Sequence, residues 1–282
     1  MIPVVKTIDE VRHAVKTARK MGKTIGFVPT MGYLHEGHKS LIVRAAEEND
    51  FVVVSDFVNP TQFGPNEDFE SYPRDIVKDS ELCEAAGADI IFNPEPDEMY
   101  DNALTTVSVD RITKTLCGAS RPVHFAGVAT VVSKLFNIVT PDRAYFGEKD
   151  AQQLIVIKKM VKDLNFDIEI VGCPIIREAD GLAKSSRNTY LNADERVAAL
   201  CLSRALNIGK SMIDNGEISA DKVKTAIISE IESEPLSRID YVEIADLDTL
   251  EPTDRTDTGI LCAIAVYIGK TRLIDNFIIE VE

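Results

Sequence analysis

The stretch Pro29-Thr-Met-Gly-Tyr-Leu-His-Glu-Gly-His38 sets two histidines three positions apart, directly after an apolar run and a glycine. Residues i and i+3 share one face of a helix, so both imidazoles can turn toward a single object. A helix starting here offers that object its first backbone amides and the positive end of its dipole, and a phosphate chain uses both. Gly37, between the histidines, lets a substrate lie against bare backbone. Zinc competes for such a pair, but the metalloprotease helix carries its histidines at i and i+4, a spacing that His35-Glu36-Gly37-His38 lacks. Core or helix-capping histidines are the plainer alternative. The chain has only four histidines and places two of them here, which favours the phosphate site.

Three further stretches carry polar groups at the ends of apolar runs. Ala179 to Asn188 holds Lys184, Ser185, Ser186 and Arg187 in a row. An ammonium, two hydroxyls, a guanidinium and loop amides can follow charge as it develops on a leaving polyphosphate, and a solvated polar turn is the competing reading. Tyr145 to Gln153 reads as a strand end, a glycine turn and a helix start. Lys149 there suits a phosphate, Asp150 suits a ribose or a helix cap, and Gln153 suits a hydroxyl or carboxylate. Phe57 to Asn66 follows an apolar strand with Asn59 and Gln62, stiffened by two prolines and Gly64. An uncharged set of this kind fits a pocket for a small, partly apolar substrate. Arg121 and His124, ahead of a helix, fit either a mobile flap or an ordinary loop.

Composition narrows the class. At 282 residues, one large or two unequal domains are expected, and 45% hydrophobic with 27% charged residues describes a chain able to bury a core. Lys and Arg number 31 against 46 Asp and Glu, a net charge of −15 that is shared almost evenly between the two parts of the chain. Extended nucleic-acid binding needs clustered basic residues, so a nucleic-acid partner is not expected. Five scattered cysteines, none in a CxxC pair, speak against a disulfide scaffold and for a reducing compartment. The first twenty residues read as a charged amphipathic stretch, not a signal peptide, and no apolar run approaches 18 residues. A cytoplasmic protein without a membrane partner is the expectation.

The elements needed to position these groups follow from the same residues. Thr7 and Glu10 have capping-box spacing, predicting a helix over 8–21 that Gly22 stops. Strands are expected over 24–29, 51–58, 88–92, 106–109, 143–146 and 167–171. Helices are expected over 36–49, 73–86, 128–139 and 150–163. This alternation predicts an α/β fold, a parallel sheet with helices on both faces. After residue 171 two long helical patterns, 193–214 and 220–233, precede strands at 241–245, 263–268 and 273–279. That order suggests a smaller α+β C-terminal domain, giving 1–175 and 176–282.

Taken together, PTMGYLHEGH, FVNPTQFGPNEDFESYPR, YFGEKDAQQL and DGLAKSSRNTYL resemble the pantoate–β-alanine ligase (pantothenate synthetase) family of the HxGH nucleotidyltransferases, strongly from about Lys23 to Leu191 and more weakly beyond. The resemblance implies a Rossmann-like first domain and a two-step reaction. ATP adenylates the carboxylate of pantoate and releases pyrophosphate; the amine of β-alanine then attacks, giving pantothenate and AMP. It also implies that Met31, Gly32, Tyr33, Leu34, His35, Glu36, Gly37 and His38 line the ATP site. Gly147, Glu148, Lys149 and Asp150 would contact nucleotide, Ile176 would meet adenine through its backbone, and Lys184 to Arg187 would stand for the KMSKS loop. His38 would donate a proton, with His35, Lys149, Ser185, Ser186 and Arg187 as further catalytic groups. Gln62, Gln153 and Asn59 would hold pantoate, and Gln62 would border β-alanine. Mg2+ would ride on the ATP phosphates through waters, with Asp79 as an outer-sphere candidate; no tightly bound organic cofactor is implied. A homodimer in which the second domain closes over the site completes the picture.

Two positions depart from the family pattern: Lys184 stands where Met is usual, and Val123 where Gly is usual. Among alternatives, another nucleotidyltransferase would keep the ATP residues and change the acceptor. A class I aminoacyl-tRNA synthetase is disfavoured by the acidic second domain and the lack of an anticodon-binding module. A non-catalytic nucleotide sensor would have no need of both His35 and His38.

Overall fold

The structure is a computed structural model describing residues 2–65 and 67–280; Asn66, the last residue of the 57–66 stretch, lies outside them. The chain divides into two compact units. One comprises Met1–Val109, Arg121–Glu148 and Gln153–Pro174; the other comprises Asp110–Ser120, Lys149–Gln152 and Ile175–Glu282.

In the first unit β1 (Val4–Val5), β2 (Ile25–Thr30), β3 (Phe51–Asp56), β4 (Ile90–Phe92), β5 (Arg143–Gly147) and β6 (Glu169–Cys173) form one parallel sheet in the order β1-β4-β3-β2-β5-β6. Helices α1 (Ile8–Lys20), α2 (Glu36–Glu48), α3 (Ile76–Ala86), α6 (His124–Val139) and α7 (Ala151–Asp163) cover it. Alternate strand residues feed two cores. Ile25, Phe27, Val53, Phe92 and Ala144 pack with Val11 and Val15 of α1, Phe136 of α6 and Ile157 of α7. Val28, Val52, Val54, Ile91 and Tyr145 pack on the other face with Leu41 and Ile42 of α2 and Cys83 of α3. Phe27 stands opposite both Val53 and Ala144, so a one-residue slip would exchange the two faces. Winding leaves β2 toward β3 in one direction and β5 toward β6 in the other. The reversal therefore falls between β2 and β5, where a doubly wound sheet opens a crevice at its carboxyl edge.

The capping box at Thr7 and Glu10 is present. Several boundaries move. The strand expected over 106–109 is absent: Val107 N–H donates to Thr130 Oγ1 of α6 at 2.9 Å, so a side chain takes the place of a ladder partner. The helix expected from 128 begins at His124, and the strand expected at 167–171 lies at Glu169–Cys173. β1 is too short to show a period, and α4 (Pro96–Tyr100) and α5 (Cys117–Ser120) are single turns. Helix α3 starts at Ile76, where Asp75 accepts from Lys78 N–H at 3.1 Å.

In the second unit the long pattern over 193–214 is two helices, α8 (Ala193–Ala198) and α9 (Leu200–Asp214), joined at Ala199. Together with α10 (Ala220–Glu232) they accompany an antiparallel sheet β7-β8-β9 (Ser237–Asp246, Ile260–Ile268, Thr271–Ile279). Leu202, Leu206, Val223, Ile227, Ile244 and Ile264 form its core. Compared with a division at 175/176, segments 110–120 and 149–152 group with this unit, and hydrogen bonds explain why. Gln152 accepts from Cys117 N–H at 3.0 Å and donates to the Ile112 and Thr115 carbonyls, while Asn276 of β9 donates to the Lys149 carbonyl at 2.8 Å. Among the described residues no helix is long and apolar enough to cross a membrane.

Candidate active site

Strand β2 delivers the chain to the crevice and the loop after it turns sharply. Gly32 (φ +77°) and Tyr33 (φ +50°) are both left-handed. The Thr30 hydroxyl steadies the start, donating to the Ser55 carbonyl at 2.7 Å and accepting from Gly32 N–H at 3.1 Å. Tyr33 and Leu34 N–H both donate to the buried Asp79 carboxylate, each at 2.6 Å.

The two histidines then cap α2 reciprocally. His35 is extended (φ −141°) and is the N-cap residue, one step before the helix on which the sequence spacing set it. Its Nδ1 accepts from Gly37 N–H at 3.1 Å, and His38 Nδ1 accepts from His35 N–H at 3.3 Å. The ring centroids are 4.1 Å apart. Imidazoles here do the work that Ser and Glu do in an ordinary capping box. A ring nitrogen that accepts a backbone N–H carries no proton, so each neutral ring bears its proton on Nε2. The helix start thus carries two imidazole Nε2–H groups close together, beside the positive end of the dipole.

After β3, a 3-10 turn (Pro60–Gln62) holds the uncharged pair. Asn59 and Gln62 are 1% and 6% exposed, and Asn59 Nδ2 donates to Gln62 Oε1 at 3.1 Å and to the Gly127 carbonyl at 3.2 Å. Gln62 Nε2 lies 2.8 Å from Met31 Sδ, linking this turn to the loop after β2. Arg121 and His124 both hold the Gln62 carbonyl, His124 Nδ1 at 3.0 Å and Arg121 Nη2 at 3.4 Å. Arg121 is itself paired with Glu67 through both carboxylate oxygens. Val123, the departure between them, is exposed and leaves these contacts in place. Burial raises the Glu67 carboxyl, but the Arg121 guanidinium outweighs it and holds the group below the ordinary range.

Gly127 is what lets α6 lie this close, since a Cβ there would meet the Thr61 carbonyl and stand 2.6 Å from Gln62 N and Cα. Gly127→Ala is therefore expected to destabilise the protein by about 1–3 kcal/mol. An unchanged melting temperature, read by scanning calorimetry, would show that the backbone yields freely. Sequence reasoning missed this clamp, and its one local signal was a glycine immediately ahead of the expected helix.

The remaining expected residues divide between the units. Gly147 ends β5, and a Cβ there would meet nothing within 4 Å. Glu148, Lys149 and Asp150 form a 3-10 turn, with Lys149 Nζ 3.3 Å from Asp150 Oδ2. The two adjacent glutamines differ. Gln152 is buried and serves the segment 110–120, whereas Gln153 is half-buried and stands outside the linked Met31–Gln62–Asn59 set among the described residues.

In the second unit, Arg177 and Ala183 form an antiparallel bridge around a turn at Gly181 (φ +96°), and Arg177 is held by both oxygens of Asp275. The loop that follows is ordered: Ser185 Oγ accepts from Arg187 N–H at 3.3 Å, and Ser186 is buried in the 3-10 turn Ser186–Tyr190. The backbone of Ile176, expected to meet adenine, is bonded at its carbonyl to Lys184 N–H at 2.9 Å. Lys184, the departure from Met, directs its ammonium to Glu178 at 2.8 Å, so the extra charge is locally balanced. Asp79, the outer-sphere candidate, is buried with both carboxylate oxygens bonded to loop amides.

A doubly wound sheet with an imidazole-capped helix at its switch point defines a nucleotide-binding α/β protein of the HxGH type. The family model described as pantoate-beta-alanine ligase matches residues 3–278. Pantothenate synthetase of Clostridium acetobutylicum is 63% identical, covering 97% of this chain and 98% of that protein; its counterpart in Clostridioides difficile is 61% identical over 99% of both. A crystal structure of pantothenate synthetase from Thermus thermophilus superposes with a TM-score of 0.93 at 46% identity, covering 98% and 99% of the two chains. That of pantoate-beta-alanine ligase from Francisella tularensis, complexed with beta-gamma ATP and beta-alanine, gives 0.81 at 36% identity, covering 99% and 98%. The chain belongs to the pantoate–β-alanine ligase family.

Proposed function

We propose that the chain joins pantoate to β-alanine through a pantoyl adenylate. In the first step a pantoate carboxylate oxygen attacks the α-phosphorus of ATP and pyrophosphate leaves. In the second, the β-alanine amine attacks the acyl carbon, loses a proton and expels AMP. The observation that carries this reading is the reciprocal imidazole cap at the start of α2, with Met31 of the same loop joined to Gln62.

Attack on a phosphorus that already bears negative charge needs fixed positive groups and donors around it, not a side-chain nucleophile. His35 and His38 supply Nε2–H donors, and His38 is assigned the hydrogen bond that meets the charge growing on the departing pyrophosphate. Lys149, Ser185, Ser186 and Arg187 are assigned to the phosphates, Asp150 to the ribose, Met31 to Leu34 and Gly147 to the nucleotide. Gln62, Asn59 and Gln153 are assigned to pantoate, with Gln62 bordering β-alanine. Mg2+ enters as MgATP, held through phosphate oxygens and waters. A homodimer in the cytoplasm completes the reading.

The adenylate has a direct test. With pantoate present and β-alanine absent, labelled pyrophosphate should exchange into ATP. Exchange that needs β-alanine would contradict a free-standing adenylation step.

A further inference from the structure

Two segments of the second unit carry groups assigned to the phosphates, and one strand holds both. Asp275 and Asn276 are consecutive on β9, at 2% and 5% exposure. Successive strand residues point to opposite faces of a sheet. Asp275 shares the face of Leu273, which packs in the core with residues of α9 and α10, and Asn276 takes the other face.

On its face, Asp275 receives the guanidinium of Arg177 through both carboxylate oxygens, Nη1 donating to Oδ2 at 2.7 Å and Nη2 to Oδ1 at 3.0 Å. Arg177 Nη1 also donates to the Gly181 carbonyl at 3.1 Å, inside the turn that the Arg177–Ala183 bridge closes. The run Lys184 to Arg187 follows that bridge directly. On the opposite face, Asn276 Nδ2 donates to the Lys149 carbonyl at 2.8 Å, in the 3-10 turn that carries Lys149 and Asp150. The Asn276 N–H in turn donates to Asp275 Oδ1 at 2.8 Å, so the carboxylate that holds Arg177 also steadies Asn276.

We propose that Asp275 and Asn276 are positioning residues for the polyphosphate site. Asp275, acting through Arg177, fixes the turn that leads into Lys184, Ser185, Ser186 and Arg187, and Asn276 fixes the turn that carries Lys149. The proposal rests on the reading that these groups meet the phosphates of ATP. Donors that meet a developing charge work best when they are held in place before the reaction. Lys149 lies in a three-residue turn and Ser185 in a loop, elements with few bonds of their own. β9 is the firm element, paired with β8 from Thr271 to Ile279. The buried pair does more than fill space. Its Asp275 side chain is 1% exposed, and apolar residues of like volume often serve a core as well as a buried ion pair does. What apolar packing lacks is the fixed fork geometry, which sets the direction of the chain that Arg177 carries.

Arg177→Lys, Asp275→Asn and Asn276→Ala test the proposal in the full chain. Arg177→Lys keeps a charge opposite Asp275 and loses the fork, Asp275→Asn keeps an acceptor without its charge, and Asn276→Ala removes the donor to Lys149. Titration calorimetry compares ATP with AMP, which lacks the β- and γ-phosphates. Each variant should weaken ATP binding by about 10-fold, the scale of one hydrogen bond to a charged group, and leave AMP binding close to wild type. In turnover, kcat for pantoate-dependent pyrophosphate release should fall by about 10- to 100-fold with KM for pantoate near wild type. Ile227→Val, which thins the core of the same unit, is the control for a merely structural loss. It should lower the melting temperature without changing the ratio of ATP to AMP affinity.

A folded variant that keeps the wild-type ratio strikes its residue from the role, and a ratio that shifts equally in Ile227→Val overturns the proposal. Should Arg177→Lys fail to fold, Asp275→Asn decides the same arm, and Asn276→Ala leaves the ion pair untouched. Wild type that prefers ATP to AMP but releases no pyrophosphate with pantoate would sink the acceptor assigned above, and the titrations would still judge the positioning. Wild type with no preference for ATP would remove the phosphate reading and this proposal with it.

Discussion

Replacing His38 with alanine is expected to lower the rate of adenylation by about 10³-fold, the loss seen when a positioned hydrogen-bond donor is removed from a developing charge. The side chain has two jobs, which substitution can separate. Nδ1 accepts the His35 N–H and so closes the helix cap, while Nε2 bears the proton. Alanine removes both, with about 1 kcal/mol of stability lost with the cap. Asparagine can return an acceptor near Nδ1 but offers nothing at Nε2, so His38→Asn should recover the melting temperature and not the rate. Glutamine extends a donor amide toward the Nε2 position and should recover part of the rate. Single-turnover pyrophosphate release, measured beside thermal melts, distinguishes these outcomes. Near-normal release by His38→Ala would remove His38 from its assigned role.

Gln62→Ala is the second large effect. The side chain is buried, bonded to Asn59, in contact with Met31, and mounted on a carbonyl held by His124 and Arg121. Truncation deletes the donor and acceptor assigned to pantoate and leaves the buried Asn59 amide short of one partner, a penalty of about 1–3 kcal/mol. KM for pantoate should rise by about 10- to 100-fold, at about 1.4 kcal/mol per decade, while ATP affinity changes little. Titration calorimetry with each ligand checks the ranking. A larger loss for ATP than for pantoate would move Gln62 out of the acceptor pocket.

What the sequence revealed and what it hid divide along the range of the interactions. The Thr7–Glu10 capping box, the helix end at Ala86 and the apolar strands 25–30 and 51–56 are set by neighbours within a few residues, and the structure places them close to expectation. The strand expected over 106–109 has the right residue types, but Val107 bonds to Thr130, a partner 23 positions away that periodicity does not reveal. Residues 193–214 keep one apolar rhythm through the break at Ala199, so two helices read as one.

The candidate site shows the same split. The histidine pair and the Asn59/Gln62 pair stand out by type and spacing. The Arg121–Glu67 and His124 clamp spans more than fifty residues and is visible only once α6 is packed. Asp79 drew notice as a carboxylate near a phosphate site, whereas its two loop amides lie about 45 positions upstream.

The central claim, that this chain makes an acyl adenylate of pantoate and passes it to β-alanine, is tested most directly by pyrophosphate release with ATP, Mg2+ and pantoate, with and without β-alanine, and products identified by mass. One equivalent of pyrophosphate per site without β-alanine, then sustained turnover to AMP and pantothenate with it, is the predicted result. ATP binding with no pantoate-dependent release would contradict the claim and return the acceptor to the other carboxylates or phosphates that HxGH nucleotidyltransferases use.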